Sequence, residues 1–403
     1  MTNELSGFLF ALPDLRAEDF SAHNGMTKAL WEDFGQRRHT RVPFRLNTNP
    51  RMLMLDPKYN VRGLSYETYM TDPEVMGQAV LEWHYWRRFL LPGDHEKGLP
   101  GRWEVHIDFE NLYDAAWFGC PVCYRADQVP DTEPLLDDDH KHLLFDRGLP
   151  DPFQGEWAER ALRFLEYFRD KSAKGWTFLG APVAPLSIAP FMNFDGVFTV
   201  AASLRGATEL CLDLLTDPDY ARQLLDYIST AVIERMAAWR KLLDVPVPQD
   251  GFGTADDSIQ LLSVEQYREF VLPLHRRLYE RFATAKDRGM HLCGNAQRHF
   301  LTIKEELGVS VFDTGFPVDF GRLRRELGPE VLVSGGPQVS FFLRDSAEPI
   351  TAEGERILSS GILEGGRFIL QEGNNLPPCA RLPLCEALYE TGKRLGRVQG
   401  KRT

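Results

Sequence analysis

Gly289-Met-His-Leu-Cys-Gly-Asn295 is the stretch on which the reading of the fold turns. His291 and Cys293 stand two apart, so on an extended strand they share one face. Gly294-Asn295 then turns the chain directly after them. A strand that ends in an imidazole and a thiol before a sharp turn is how a metal or substrate site is set at the rim of an α/β barrel. Two ligands alone do not make a site. By itself the pair reads as a hydrogen-bonded core histidine beside a small buried thiol.

The segments around the pair change that reading. From about residue 245 the order becomes regular, with a short strand within 246–254 and then short apolar runs at 290–293, 309–312, 331–333 and 368–370 separated by helical stretches. Ser263 with Gln266 forms a capping-box pattern that opens a long helix, bent at Pro273. Strand and helix in alternation predict parallel pairing with right-handed crossovers. Polar groups follow each run in turn: Asp256 and Asp257, then His291 and Cys293, then Asp313 and Thr314. Gly335-Gly-Pro-Gln338 and Glu372-Gly-Asn374-Asn375 complete the series. All strands of a parallel barrel end at the same face, so these groups are expected to converge on one mouth, and that mouth is read as the active site.

The first half is less regular. Residues 1–40 are polar and mixed, an arm or helical lead-in, and 41–48 alternates enough for a first strand. Asp72-Pro73 caps and starts a helix. The segment 103–109 alternates strictly, with Trp103, Val105, Ile107 and Phe109 on one face and Glu104, His106 and Asp108 on the other. A helix is predicted over 156–170, and a buried strand running into an irregular loop over 176–189. Cys120-Pro-Val-Cys123 has no second pair at zinc-ribbon spacing and reads as structural.

Composition bounds the class. A length of 403 residues allows two or three domains or one large barrel with additions, and a charge of −12 argues against a nucleic-acid or anionic-membrane surface. No run of eighteen apolar residues occurs, so no membrane span is expected. The N-terminus carries Glu4 and no basic region and does not read as a secretory signal. Six irregularly spaced cysteines suit a reducing cytoplasm better than a disulfide framework.

His291-Leu-Cys-Gly-Asn295, the Asp256-Asp257 pair with its following helix, Val331–Gln338 and Phe368-Ile-Leu-Gln-Glu-Gly-Asn-Asn-Leu-Pro-Pro378 resemble the uroporphyrinogen decarboxylase superfamily. The resemblance is strong from about residue 195 onward and weaker but collinear before it. It implies a single (β/α)8 barrel over 41–396, with residues 1–40 as an N-terminal arm and 397–403 as a tail. One branch of that superfamily decarboxylates an acidic tetrapyrrole without a cofactor, and it implies an Arg-Gln-Ala-Gly-Arg motif to hold carboxylates. This chain has Arg41-Val-Pro-Phe-Arg45 there instead. The other branch comprises zinc-dependent methyltransferases that work with a corrinoid protein.

The methyltransferase resemblance implies His-x-Cys plus a late cysteine as zinc ligands. His291 and Cys293 match, whereas Asn374 stands at the expected third position, with Cys379 five residues later. Either Cys379 completes the set, or Glu372 or Asp257 does, or no metal binds. The resulting expectation is a zinc-assisted methyltransferase exchanging a methyl group with a corrinoid on a partner protein. His291, Cys293 and Cys379 are its metal ligands, and Asp256, Asp257 and Asp313 its acid/base or orienting groups. Gln338, Glu372, Asn374 and Asn375 are its substrate-binding residues. A cofactor-free decarboxylase and a non-catalytic binding barrel are the alternatives.

Overall fold

The strand–helix rhythm of the C-terminal half is present in the computed structural model, which describes residues 5 and 7–398. Along the chain run helix α1 (Ser21–Gly35), helix α2 (Pro73–Phe89), strand β1 (Trp103–Val105), helix α3 (Glu156–Ala173) and strand β2 (Ala181–Pro185). Helix α4 (Val197–Arg205), helix α5 (Pro218–Leu242), strand β3 (Gly253–Ala255) and helix α6 (Leu272–Phe282) follow. The last elements are strands β4 (Gly289–Leu292), β5 (Val311–Thr314), β6 (Leu332–Gly335) and β7 (Phe368–Leu370), and helix α7 (Leu382–Leu395).

Five of these strands form one all-parallel sheet in the order β7-β6-β5-β4-β3. Strand β1 pairs in parallel with β2, Trp103 opposite Val183, and Thr177–Phe178 folds back antiparallel onto β2. The segment 41–47 runs beside β7, with the Arg45 amide donating to Leu370 O at 3.1 Å and the Leu370 amide to Pro43 O at 3.0 Å. Among the described residues these ladders do not join into a closed eight-stranded ring. Part of the reason is local: β2 carries Pro182 and Pro185, which have no N–H to offer a further neighbour. The architecture observed is α/β with two parallel arrays.

Local chemistry explains the helices. Asp72 accepts from the Glu74 amide at 2.8 Å and caps α2, whose first residue is Pro73. The reciprocal Ser263–Gln266 cap forms as the sequence implies. Between that cap and α6 the chain widens into a π-helical turn at Tyr267–Val271, because Pro273 has no amide hydrogen to close a regular turn there. Trp103, Val105, Ile107 and Phe109 are all buried, as their alternation predicts, although the strand itself ends at Val105. No helix among the described residues is long and apolar enough to cross a membrane.

Two buried carboxylates fasten the N-terminal segments. Asp94 accepts two bonds from the Arg41 guanidinium at 2.7 Å, one from the Phe44 amide at 2.8 Å and one from the Tyr389 hydroxyl at 2.8 Å. The first extended segment is thereby tied to the last helix. Glu82 of α2 accepts from the amides of Leu9 and Phe10 at 2.7 and 2.9 Å and holds the lead-in against the core. Residues 1–4 and 6 of the arm read over 1–40, and 399–403 of the tail read over 397–403, lie outside the described residues.

Burial pushes the Glu82 carboxyl from 4.5 up to about 7, against the bonds from Gln78, Leu9 and Phe10 that favour its ionised form. Between those two values the folded chain holds a proton that the unfolded chain releases, so this contribution is complete below pH 4.5 and lost as pH rises to 7. Wild type is expected to lose roughly 2–3 kcal/mol relative to Glu82→Gln over that interval. Denaturant titrations of both proteins at the two pH values measure the difference.

Candidate metal and substrate site

Parallel pairing in register sets Ala255, His291, Asp313 and Ser334 side by side across β3, β4, β5 and β6. Residues level with one another in adjacent strands present their side chains on the same face. His291 Nδ1 accordingly lies 2.7 Å from Asp313 Oδ2. The other oxygen of Asp313 accepts from the Gln371 amide, whose own oxygen accepts from Arg45 Nε at 2.9 Å. This chain fixes the imidazole with Nδ1 toward Asp313 and turns Nε2 the other way.

On that side Nε2 meets Cys293 Sγ at 2.9 Å and Asp257 Oδ1 at 3.7 Å. Asp257 also accepts from the Cys293 amide at 2.7 Å. One ligand atom from each of Asp257, His291 and Cys293 lies within 4.8 Å of the other two. Burial alone would lower the His291 pKa, but its bonds to Asp313 and Cys293 and their charge hold it up to about 11. Burial pushes the Asp257 carboxyl and the Cys293 thiol upward, and His291 pulls both back. The arrangement is a cation-stabilising nest of oxygen, nitrogen and sulfur that a proton on His291 balances.

The group opens on a cavity of about 910 Å³, whose walls include Asp257, His291, Asp313, Asn374 and Asn375. Four other residues expected at the site are elsewhere. Asp256 is wholly buried and turned away from the mouth: it accepts from the amides of Phe198 and Thr199, at 3.0 and 2.8 Å, and contacts His275 Nε2 at 2.9 Å. Those amides belong to the first turn of α4, so Asp256 is a distant cap for that helix. A Cβ on Gly196 would lie 2.4 Å from Asp256 Cγ, so only glycine lets the helix approach. Glu372 is also wholly buried, and its carboxylate accepts from the Asn47 amide at 3.1 Å. Gln338 is bonded to Ser340 on the surface.

Cys379 stands apart from the donor trio. Its Sγ contacts Leu55 O at 3.7 Å and is exposed, because Pro377 and Pro378 carry the chain past the mouth before residue 379 is reached. Asp257 takes the third place in the cluster instead. Gly336 sits where a Cβ would fall 1.7 Å from Gln371 O, so the loops after β6 and β7 touch backbone to backbone beside the carboxamide that holds Asp313.

Sequence reasoning missed a further acid of the cavity. Asp195 follows β2 as Asp257 follows β3, and it lines the cavity; burial first, then Asp114 and Asp257, raise its pKa well above the usual carboxylate value. Asp114 is buried with Arg235 at 2.5 Å, and its second oxygen accepts from the Asp195 amide at 2.9 Å. The signal was Asn193-Phe-Asp-Gly196 after the run at 176–189, a polar strand end of the kind noted only in the C-terminal half. That run is expected from the sequence to be a buried strand, but only Phe178, Val183 and Ala189 in it are buried.

Residues 107–395 match the family model described as uroporphyrinogen decarboxylase (URO-D), and the chain belongs to that family of enzymes. A methylated-thiol–coenzyme M methyltransferase of Methanosarcina mazei is 31% identical over 166 residues, a stretch that spans 39% of this chain and 39% of that one. In fold the chain is similar to a solved structure of a methyltransferase from Methanosarcina mazei. Their TM-score is 0.59 at 17% identity, covering 91% of this chain and 98% of the other.

Adjacent aspartates thus have opposite duties, and substitution separates them. Asp256→Ala leaves two amides and His275 without a partner in dry interior and is expected to cost roughly 3–5 kcal/mol. Asp257→Ala, at the cavity wall, should cost less than about 1 kcal/mol. Chemical denaturation of the two variants checks the contrast, and equal losses would contradict it.

Proposed function

We propose that this member of the uroporphyrinogen decarboxylase family is a zinc-assisted methyltransferase that exchanges a methyl group between a small substrate in the cavity and a corrinoid carried by a partner protein. The single observation that carries the reading is the donor trio of Asp257, His291 and Cys293, of which Asp257 and His291 line the cavity, with Asp313 on the far nitrogen of the imidazole. A carboxylate, an imidazole nitrogen and a thiolate on one side of an open cavity suit a catalytic zinc with a free position. The two parallel arrays are taken as arcs of one (β/α)8 barrel over 41–396, with residues 1–40 as its extension. Six free cysteines fit action in a reducing cytoplasm.

Asp257 Oδ1, His291 Nε2 and Cys293 Sγ would hold the ion, and Zn2+ when bound supplies Lewis acidity to the substrate heteroatom. The chain's own groups do the rest. Asp313 keeps the proton of His291 on Nδ1, so that Nε2 remains a donor of electrons, and Gln371 and Arg45 keep Asp313 in place. Asn374 and Asn375, which also line the cavity, could offer amide hydrogens to a polar head group. Asp195, whose carboxyl is pushed upward by burial and by Asp114 and Asp257, lines the cavity where it could hydrogen-bond a departing heteroatom. The methylated-thiol relative supports a heteroatom–methyl bond as the one exchanged.

Elemental analysis tests the ligand set. Wild type and Cys379→Ala should carry about one zinc per chain, whereas Asp257→Ala, His291→Ala and Cys293→Ala should each lose at least about tenfold in affinity. Retention of zinc by all three trio variants would remove the basis of the reading. Spectral titration of a corrinoid protein with methylthiolated and methoxylated compounds then follows the transfer itself.

A further inference from the structure

Three arginines line the cavity, and two of them are already neutralised. Arg51 is paired with Glu110 at 2.5 Å, and Arg125 faces Glu133 at 3.8 Å. The third, Arg87, donates no hydrogen bond and makes no ion pair through its guanidinium to any described residue; outside its own helix, only its backbone carbonyl is engaged, by His95 Nε2 at 2.9 Å. Its immediate field makes this worse rather than better. Burial first, and then the positive charge of Arg88 and Arg45, push its pKa down. Arg45 itself is bonded to a carboxamide and a hydroxyl, Gln371 and Ser334, and to no carboxylate.

A half-buried guanidinium with like charge beside it and no acid on it is disposed to take an anionic ligand. The cavity contains several acids, yet none is placed to meet Arg87. Trp83 lies one turn before Arg87 on the same face of α2, and both side chains border the cavity. The Trp83 ring is held by a hydrogen bond from Nε1 to Thr48 Oγ1 at 3.1 Å, so its apolar surface is fixed next to the free cation. A volume of about 910 Å³ leaves room for a small molecule reaching from this wall to the donor trio.

We propose that Arg87 is the anion anchor of the site: the substrate is a small organic acid whose oxyanion head seats on the Arg87 guanidinium, with its body against Trp83 and its methylated heteroatom toward Asp257, His291 and Cys293. This assignment rests on reading the cavity as the substrate site. A planar guanidinium fork accepts a carboxylate or a sulfonate, and the head group is the shared feature of both.

Binding to the full-length protein, by isothermal titration, tests it with three probes: 4-methoxybenzoate, 2-(methylthio)ethanesulfonate and the neutral 4-methoxybenzamide. At least one acid should bind saturably, about tenfold or more tighter than the amide. Arg87→Met should lose about tenfold or more for that acid and nothing for the amide, and Arg87→Lys should retain part of the affinity. Which acid binds distinguishes carboxylate from sulfonate. Unfolding temperature and zinc content of Arg87→Met, measured in parallel, should equal those of wild type. Equal binding of amide and acid, no acid binding at millimolar concentration, or an unaffected Arg87→Met would overturn the assignment. Zinc retained with no acid binding defeats this inference alone, whereas acid binding without zinc defeats only the metal reading.

Discussion

A parallel sheet gives each residue one neighbour on either side at the same height, and here that constraint sets His291 between Ala255 and Asp313. The hydrogen bond from the imidazole to Asp313 follows from register, not from loop conformation. A slip of one residue would point His291 into the opposite layer and leave Asp313 without its partner. Because the imidazole is fixed from the sheet, the mobile part of the problem is reduced to Asp257 and Cys293. They are joined by the bond from the Cys293 amide to the Asp257 carboxylate.

The cavity is costly to build. Asp114, Asp195, Asp257 and Asp313 crowd one region of a chain already at −12. The compensation comes from arginines placed behind the wall. Arg235 pairs with Asp114 and is itself packed among the rings of Trp117 and Phe191, at 4.7 and 5.2 Å from their centroids. The aromatic packing before β3, with Trp86, Trp103 and Trp239 wholly or almost wholly buried, supplies apolar burial to offset these desolvated charges.

Much of the C-terminal half was legible because periodicity reports backbone pairing. Short apolar runs separated by helices gave the five parallel strands, and their polar ends brought Asp257, His291, Asp313, Asn374 and Asn375 to one cavity. Which of two adjacent aspartates faces the cavity was not legible. Asp256 turns inward only because α4 comes within reach, and that approach depends on Gly196, some sixty residues earlier. The same holds for Cys379, where the two preceding prolines decide the direction of the chain. Arg87 and Asp195 escaped notice for a different reason. A lone arginine on an amphipathic helix and an aspartate before a glycine look like solvated surface until a cavity is found beside them.

Gly336 bears no functional group, yet it is the position from which the site is most easily disturbed. Any side chain there would drive against Gln371 O, and Gln371 is the link between Arg45 and Asp313. A mutational library restricted to the polar residues around the cavity would leave this codon untouched and would credit Gln371 with a freedom it does not have. In the descent of such a chain, the glycine would be expected to outlast several of the side chains that touch the ligand.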